Sequence, residues 1–198
     1  MADQRRLRLA VLVSGSGRTL ENLLERIAAG RLPATVEVVV SSRGDVRGVR
    51  IAEQAGIPLC VLPPAGRPLK DWSGDVFSAC RSVAADVVVL AGFLHLLAIP
   101  VDFAGRVVNI HPSLLPAFGG KGFHGLHVHR AVLDRGCTVS GCTVHLVDDD
   151  YDHGRILLQH PVPVLRDDTP ESLAARVFAA ECECLPDAIA RIAAGTLP

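Results

Sequence analysis

The sequence predicts an α/β fold: a doubly wound, mostly parallel sheet with an antiparallel C-terminal addition. Three observations predict it. Apolar runs such as Leu7–Val13 (LRLAVLV) and Asp86–Leu90 (DVVVL) read as strands covered on both faces, as in a parallel sheet. These runs alternate with stretches whose apolar residues recur at helical spacing. Near the C-terminal end the pattern changes: Thr138–Val147 (TVSGCTVHLV) alternates polar and apolar residues, as a half-covered antiparallel strand does.

Composition bounds the class. At 198 residues the chain suits one domain, spanning residues 1–198. Hydrophobic residues make up 49% and charged residues 21%, so the chain buries a real core rather than remaining disordered. Only 4% are aromatic, so that core is aliphatic. The net charge of −1, without a Lys/Arg block, argues against a nucleic-acid partner. No run reaches membrane-spanning length, and the apolar run Leu9–Val13 is too short for a signal sequence. The six cysteines are scattered through apolar runs without a CxxC pair, which reads as reduced core residues of a cytoplasmic protein.

The elements follow in order. Leu7–Val13 is the first strand; Ser14–Thr19 (SGSGRT) is a glycine loop; Leu20–Ala29 is a helix with Leu20, Leu23, Leu24 and Ile27 on one face. Such a loop turns free backbone N–H groups toward an anion, and Ser16, Arg18 and Thr19 add side-chain donors. It is neither a P-loop nor GxGxxG, because Leu20 takes the third glycine's place. Val36–Val40 is the second strand. Ser41 and Ser42 stand at its end, where a dinucleotide enzyme wants an acidic residue, and Asp45 comes late. A helix over Val46–Ala55, a strand at Pro58–Leu62, a Pro/Gly loop at Pro63–Pro68 and a helix over Lys70–Ala84 follow; Arg67 and Lys70 are candidate anion contacts. After Asp86–Leu90, Leu94–Ile99 reads as a short apolar turn or helix closed by Pro100.

The next strand carries the chemistry. In Arg106–Pro116 (RVVNIHPSLLP) it ends in Asn109 and His111, which project the same way because side chains alternate along a strand. Pro112 and Pro116 stop the ladder. Ala117–Gly125 is a glycine-rich loop, Leu126–Arg135 a helix, and Thr138–Val147 and Arg155–Val164 the closing strands, joined by Asp148–Gly154 (DDDYDHG). Thr169 is an N-cap and Pro170 a first helical residue for a helix over Glu171–Ala194, with Pro186 inside it as a place to bend.

An amide, an imidazole and a carboxylate from Asp148–Asp152 suit acyl or formyl transfer to an amine: a donor for an oxyanion, a proton carrier, and a group that orients it. No GxSxG elbow is present, so transfer is direct, without a covalent enzyme intermediate. In His124-x-x-His127-x-His129, His127 and His129 would not share a helical face, and no metal is expected. A non-catalytic nucleotide-binding module of the same fold is the alternative outside enzymes.

These motifs, VLVSGSGRTLENLL, DVVVLAGFL, GRVVNIHPSLLPAF, SGCTVHLVDDDYDHGRILLQ and ARVFAAECECLP, cover nearly the whole chain and resemble the folate-dependent formyltransferases, above all those of purine synthesis. The resemblance implies a Rossmann-like formyltransferase fold. It implies transfer of the formyl group of 10-formyltetrahydrofolate, as cosubstrate, to the amine of glycinamide ribonucleotide; an amino-sugar nucleotide is the alternative acceptor. It implies that Asn109, His111 and Asp152 are catalytic. It implies that Gly15, Ser16, Gly17, Arg18, Thr19 and Glu181 bind the ribonucleotide, with Arg67 added here as a cation. Phe93, Leu94, His95, Leu96 and Leu97 on one side, and Val147, Asp148, Asp149, Asp150 and Tyr151 on the other, match the folate walls. His145 reads as a structural histidine near Asp148 or Asp152. Three departures stand out: Arg18-Thr19 where relatives often have Ser-Asn, His95 where many carry Arg, and a longer Gly119–Gly125 segment. Members acting on tRNA carry a further C-terminal domain, and those hydrolysing the formyl group a further N-terminal one; this chain is expected to have neither. A monomer or homodimer is expected.

Overall fold

The computed structural model describes residues 6–197; Met1–Arg5 and Pro198, part of the expected 1–198 domain, lie outside the described residues. The strands are β1 (Leu7–Val13), β2 (Ala34–Ser41), β3 (Leu59–Val61), β4 (Val87–Leu90), β5 (Val107–His111), β6 (Val139–Leu146) and β7 (Ile156–Pro163). The helices are α1 (Arg18–Ala28), α2 (Arg47–Gln54), α3 (Leu69–Ser82), α4 (Leu126–Asp134) and α5 (Pro170–Ala193). They form one seven-stranded sheet in the order β3-β2-β1-β4-β5-β6-β7. β1 through β5 pair in parallel, and β6 and β7 add antiparallel. The doubly wound sheet with its antiparallel addition is the fold the sequence predicts.

Each face of the sheet buries its own apolar layer, aliphatic on the α1/α5 side as expected but with Trp72, Phe77, Phe93 and Phe103 on the α3 side. Leu9, Val11 and Val13 of β1 pack with Leu20 and Leu23 of α1 and with Leu173, Val177 and Ile189 of α5. Ala10 and Leu12, the alternate residues, pack with Trp72, Val76 and Phe77 of α3. This alternation is why β1 reads apolar throughout. α5 begins with a capping box, the Thr169 side chain accepting from the Ser172 amide and the Ser172 side chain from the Thr169 amide. It runs on as one helix past the buried Pro186.

One expectation fails. Residues 94–99 form no helix; the only regular turn nearby is a short 3₁₀ helix at Val101–Phe103, beyond Pro100 rather than before it. The Leu97 side chain is in the core and the Ala98 amide donates to Ser73 Oγ, so tertiary contacts hold this segment in an irregular course.

The strand order reverses between β1 and β4, the switch point at which the loops leave in opposite directions and open a crevice at the carboxyl ends. Ser14 ties that crevice together: its Oγ accepts from Ser42 Oγ at 2.8 Å and from the Leu94 amide at 3.2 Å, joining the loops after β1, β2 and β4.

Candidate active site

A cavity of about 660 Å³ lies at this switch point, lined by the loops after β1, β4 and β5, by the 120–126 loop and by α4 and α5. The loop after β1 needs glycine. Gly17 has φ +70°, and a Cβ there would meet the Gly48 Cα at 2.6 Å. Close packing of this loop on α2 therefore fixes where Ser16, Arg18 and Thr19 line the cavity.

β5 delivers Asn109 and His111 to the same wall, as the period-two reading requires. Asp152 arrives from the β6–β7 connection with φ +54°. His111 Nδ1 lies 3.3 Å from Asp152 Oδ2, and its Nε2 donates to the Phe118 carbonyl at 2.9 Å. Both ring nitrogens thus face acceptors, the arrangement of an imidazolium. Asp152 Oδ2 also accepts from the Gly120 amide at 2.9 Å. Its Oδ1 lies 3.4 Å from Asn109 Nδ2 and 3.6 Å from His145 Nε2. Burial alone would raise the Asp152 carboxyl. The hydrogen bond from His111, the His111 charge and the Gly120 amide outweigh it and hold Asp152 well below the usual carboxylate range.

The α5 wall carries Glu181, whose carboxyl burial pushes up to about 7 against the opposing charges of Arg18 and His111. Arg18, exposed at the rim, lays its guanidinium 3.9 Å from the ring centroid of Phe178, also on α5. His129 of α4 completes the wall; burial first, then the His111 charge, lowers its pKa, and its Nδ1 has no hydrogen-bond partner.

A family model described as formyl transferase matches residues 7–189 of the chain. The chain belongs to the formyl transferase family. A curated relative, phosphoribosylglycinamide formyltransferase of Vigna unguiculata (chloroplastic), is 46% identical over 179 residues, covering 88% of this chain and 57% of the relative. The chain thus spans about three fifths of that plant relative's length. Phosphoribosylglycinamide formyltransferase of Escherichia coli (strain K12) is 36% identical over 194 residues, covering 96% of this chain and 89% of the relative. The crystal structure of glycinamide ribonucleotide transformylase 1 from Symbiobacterium toebii superposes with a TM-score of 0.88 at 40% identity, covering 96% of this chain and 89% of that one.

In this member of the formyl transferase family the cavity collects most of the sequence-predicted residues and leaves others aside. Asn109, His111, Asp152, Ser16, Gly17, Arg18, Thr19, Glu181, Phe93, Leu94 and Tyr151 line the cavity. Gly15 does not; its carbonyl accepts from the Gly48 amide. Arg67 is a correction: it pairs with Asp75 of α3 and is absent from the cavity wall, because the loop before α3 lies at the β3 edge. Lys70 is likewise absent from that wall. Leu96, Leu97, Val147, Asp148, Asp149 and Asp150 stand outside the cavity as well. Leu97 and Val147 belong to the core under α3. Asp148 pairs with His153, and Asp149 accepts from the Ile99 amide. His95 sits edge-on between Trp72 and Phe93, with ring centroids 5.5 and 5.6 Å away, and burial lowers its pKa.

Sequence reasoning placed His145 near Asp152, where it lies, but missed Phe178, His129, the Phe118 carbonyl and the contact of His145 with Asn109. A signal existed for the last. Antiparallel pairing sets Asn109 directly opposite His145, and directly opposed side chains on one face meet.

Proposed function

We propose that this chain, a single catalytic domain over residues 1–198, transfers the formyl group of 10-formyltetrahydrofolate to the primary amine of glycinamide ribonucleotide. One observation carries the reading: Asn109, His111 and Asp152, far apart in sequence, converge on one end of the cavity, within 3.4 Å of one another pairwise through Asp152.

The amine attacks the formyl carbon, and the carbonyl oxygen gains charge. His111 Nε2–H and an Asn109 Nδ2–H hold that oxygen. On His111 it takes the place of the Phe118 carbonyl; on Asn109 it takes the place of Asp152 Oδ1, the longer of the two amide contacts at 3.4 Å. Asp152 keeps His111 charged and passes the proton lost by the amine toward N10 of the leaving folate as the carbon–N10 bond breaks. The Ser16–Thr19 loop and Arg18 hold the phosphate at the start of α1, where backbone N–H groups and a cation suit a dianion. Glu181, on the α5 wall of the cavity, contacts the ribonucleotide. Phe93, Leu94 and Tyr151 offer apolar surface to the folate, and Trp72, stacked on Phe93 at 5.9 Å, stiffens that wall.

Among the described residues no helix is long and apolar enough to cross a membrane. A cytoplasmic location and a monomer or homodimer complete the proposal; six cysteines without a disulfide support the former. The test is spectrophotometric formyl transfer from 10-formyltetrahydrofolate to glycinamide ribonucleotide and, in parallel, to an amino-sugar nucleotide. Turnover with the ribonucleotide alone is expected; preference for the amino-sugar nucleotide would overturn the choice of acceptor.

A further inference from the structure

The mechanism above gives His145 no task, yet the residue is only 1% exposed and its ring touches two of the three catalytic side chains. Its Nδ1 lies 2.7 Å from the Leu146 carbonyl. A carbonyl only accepts, so Nδ1 carries a hydrogen. In the neutral ring this leaves a lone pair on Nε2, 3.0 Å from Asn109 Nδ2. A lone pair there accepts an amide N–H and repels an amide oxygen.

We propose that His145 is a positioning residue that fixes which way the Asn109 amide faces, so that its NH₂ rather than its carbonyl meets the formyl oxygen. The inference rests on the formyl-transfer reading. Asn109 cannot set this alone, since the two ends of an amide are nearly equal in shape. The charged group facing the pair, Asp152, works in the same direction, because a carboxylate oxygen 3.4 Å from Asn109 Nδ2 also disfavours an amide oxygen at that place. The two contacts divide the work. The shorter one, to His145, keeps one amide hydrogen; the longer one, to Asp152, leaves the second to be given to substrate. A chain of single roles results: the Leu146 carbonyl sets the His145 tautomer, the tautomer sets the Asn109 amide, and the amide presents the donor. A residue outside the substrate cavity thereby controls a donor inside it.

The test is a double-mutant cycle on kcat for formyl transfer. His145→Asn keeps a donor toward Leu146 and removes the acceptor toward Asn109; His145→Gln restores an acceptor near the Nε2 position. His145→Asn is expected to lower kcat about 10²-fold, the low end for a lost oxyanion donor, with KM within about threefold. His145→Gln should recover about tenfold of that loss. In an Asn109→Ala background His145→Asn should cost less than about twofold, since nothing is left to position. An equal loss in both backgrounds overturns the positioning role while leaving the formyl-transfer reading intact. Full kcat in Asn109→Ala alone overturns both. Should the asparagine variant not fold, ¹H–¹⁵N correlation of the wild-type rings decides: hydrogen on His145 Nδ1 and none on Nε2 is expected, and hydrogen on Nε2 overturns the proposal.

Discussion

Replacing Asp152 with asparagine removes one charge and one acceptor from a group with four polar neighbours. Oδ2 faces two donors, His111 Nδ1 at 3.3 Å and the Gly120 amide at 2.9 Å, so the new amide oxygen belongs there. The new NH₂ then falls on the Oδ1 side, against the NH₂ of Asn109 at 3.4 Å and near the His145 lone pair at 3.6 Å. It competes with Asn109 for that lone pair and no longer favours a charged His111. Loss of a positioned acid–base group costs ~10²–10⁴ in rate, or about 3–5 kcal/mol of barrier. The expected result for Asp152→Asn is a fall of that size in kcat at pH 7.5, with the ribonucleotide KM nearly unchanged because the phosphate end is not touched. The pH dependence of stability follows with its sign. A carboxyl held below its ordinary value stabilises the fold above the ordinary carboxylate range, and that contribution is lost as pH falls through the native value. Denaturation of the wild type should therefore show an acid-side loss that the asparagine variant lacks. A variant turning over within about threefold of wild type would refute the assigned role.

Three further outcomes are expected. Gly17→Ala, forced to φ +70° and against Gly48 Cα at 2.6 Å, should cost ~1–3 kcal/mol in urea denaturation and raise the ribonucleotide KM; an unchanged midpoint and KM would free the loop of its packing constraint. Arg18→Ala should raise that KM by about tenfold or more at nearly constant kcat, as for a lost charged hydrogen bond; an unchanged KM would assign the guanidinium to its Phe178 contact alone. For Glu181 the sign reverses: its carboxyl is raised from 4.5 to about 7, so the fold prefers it protonated and its contribution falls as pH rises across that interval. Glu181→Gln should flatten this slope, whose ceiling is about 1.4 kcal/mol per pH unit; an identical slope in both proteins would contradict the assignment.

Much of this was legible in the sequence because a parallel strand buried on both faces can hardly hide. Leu7–Val13 is recovered to the residue, and β2 through β7 fall within two residues of expectation. The pairing of Asn109 with His111 was legible for the same reason, since period two puts both on one face. Where backbone is irregular, local pattern gave less. Residues 94–99 carry helical-looking leucines, but Leu97 is taken by the core and the Asp149 carboxylate holds the Ile99 amide. Asp148–Asp150 match a binding wall by resemblance, but the Asp148 carboxylate is taken by the Asp150 amide and His153, and that of Asp149 by the Ile99 amide. The Phe118 carbonyl on His111 was out of reach, because a backbone carbonyl in a glycine loop leaves no side-chain signature.

The most direct test of the central claim is steady-state formyl transfer from 10-formyltetrahydrofolate to glycinamide ribonucleotide by wild type and by His111→Ala, with folding checked by circular dichroism. Removing the ring that faces Asp152 and, in the proposed mechanism, the reacting oxygen should lower kcat by at least ~10²-fold and leave the ribonucleotide KM within about threefold. A folded alanine variant that keeps the wild-type kcat would mean that the chemistry happens elsewhere.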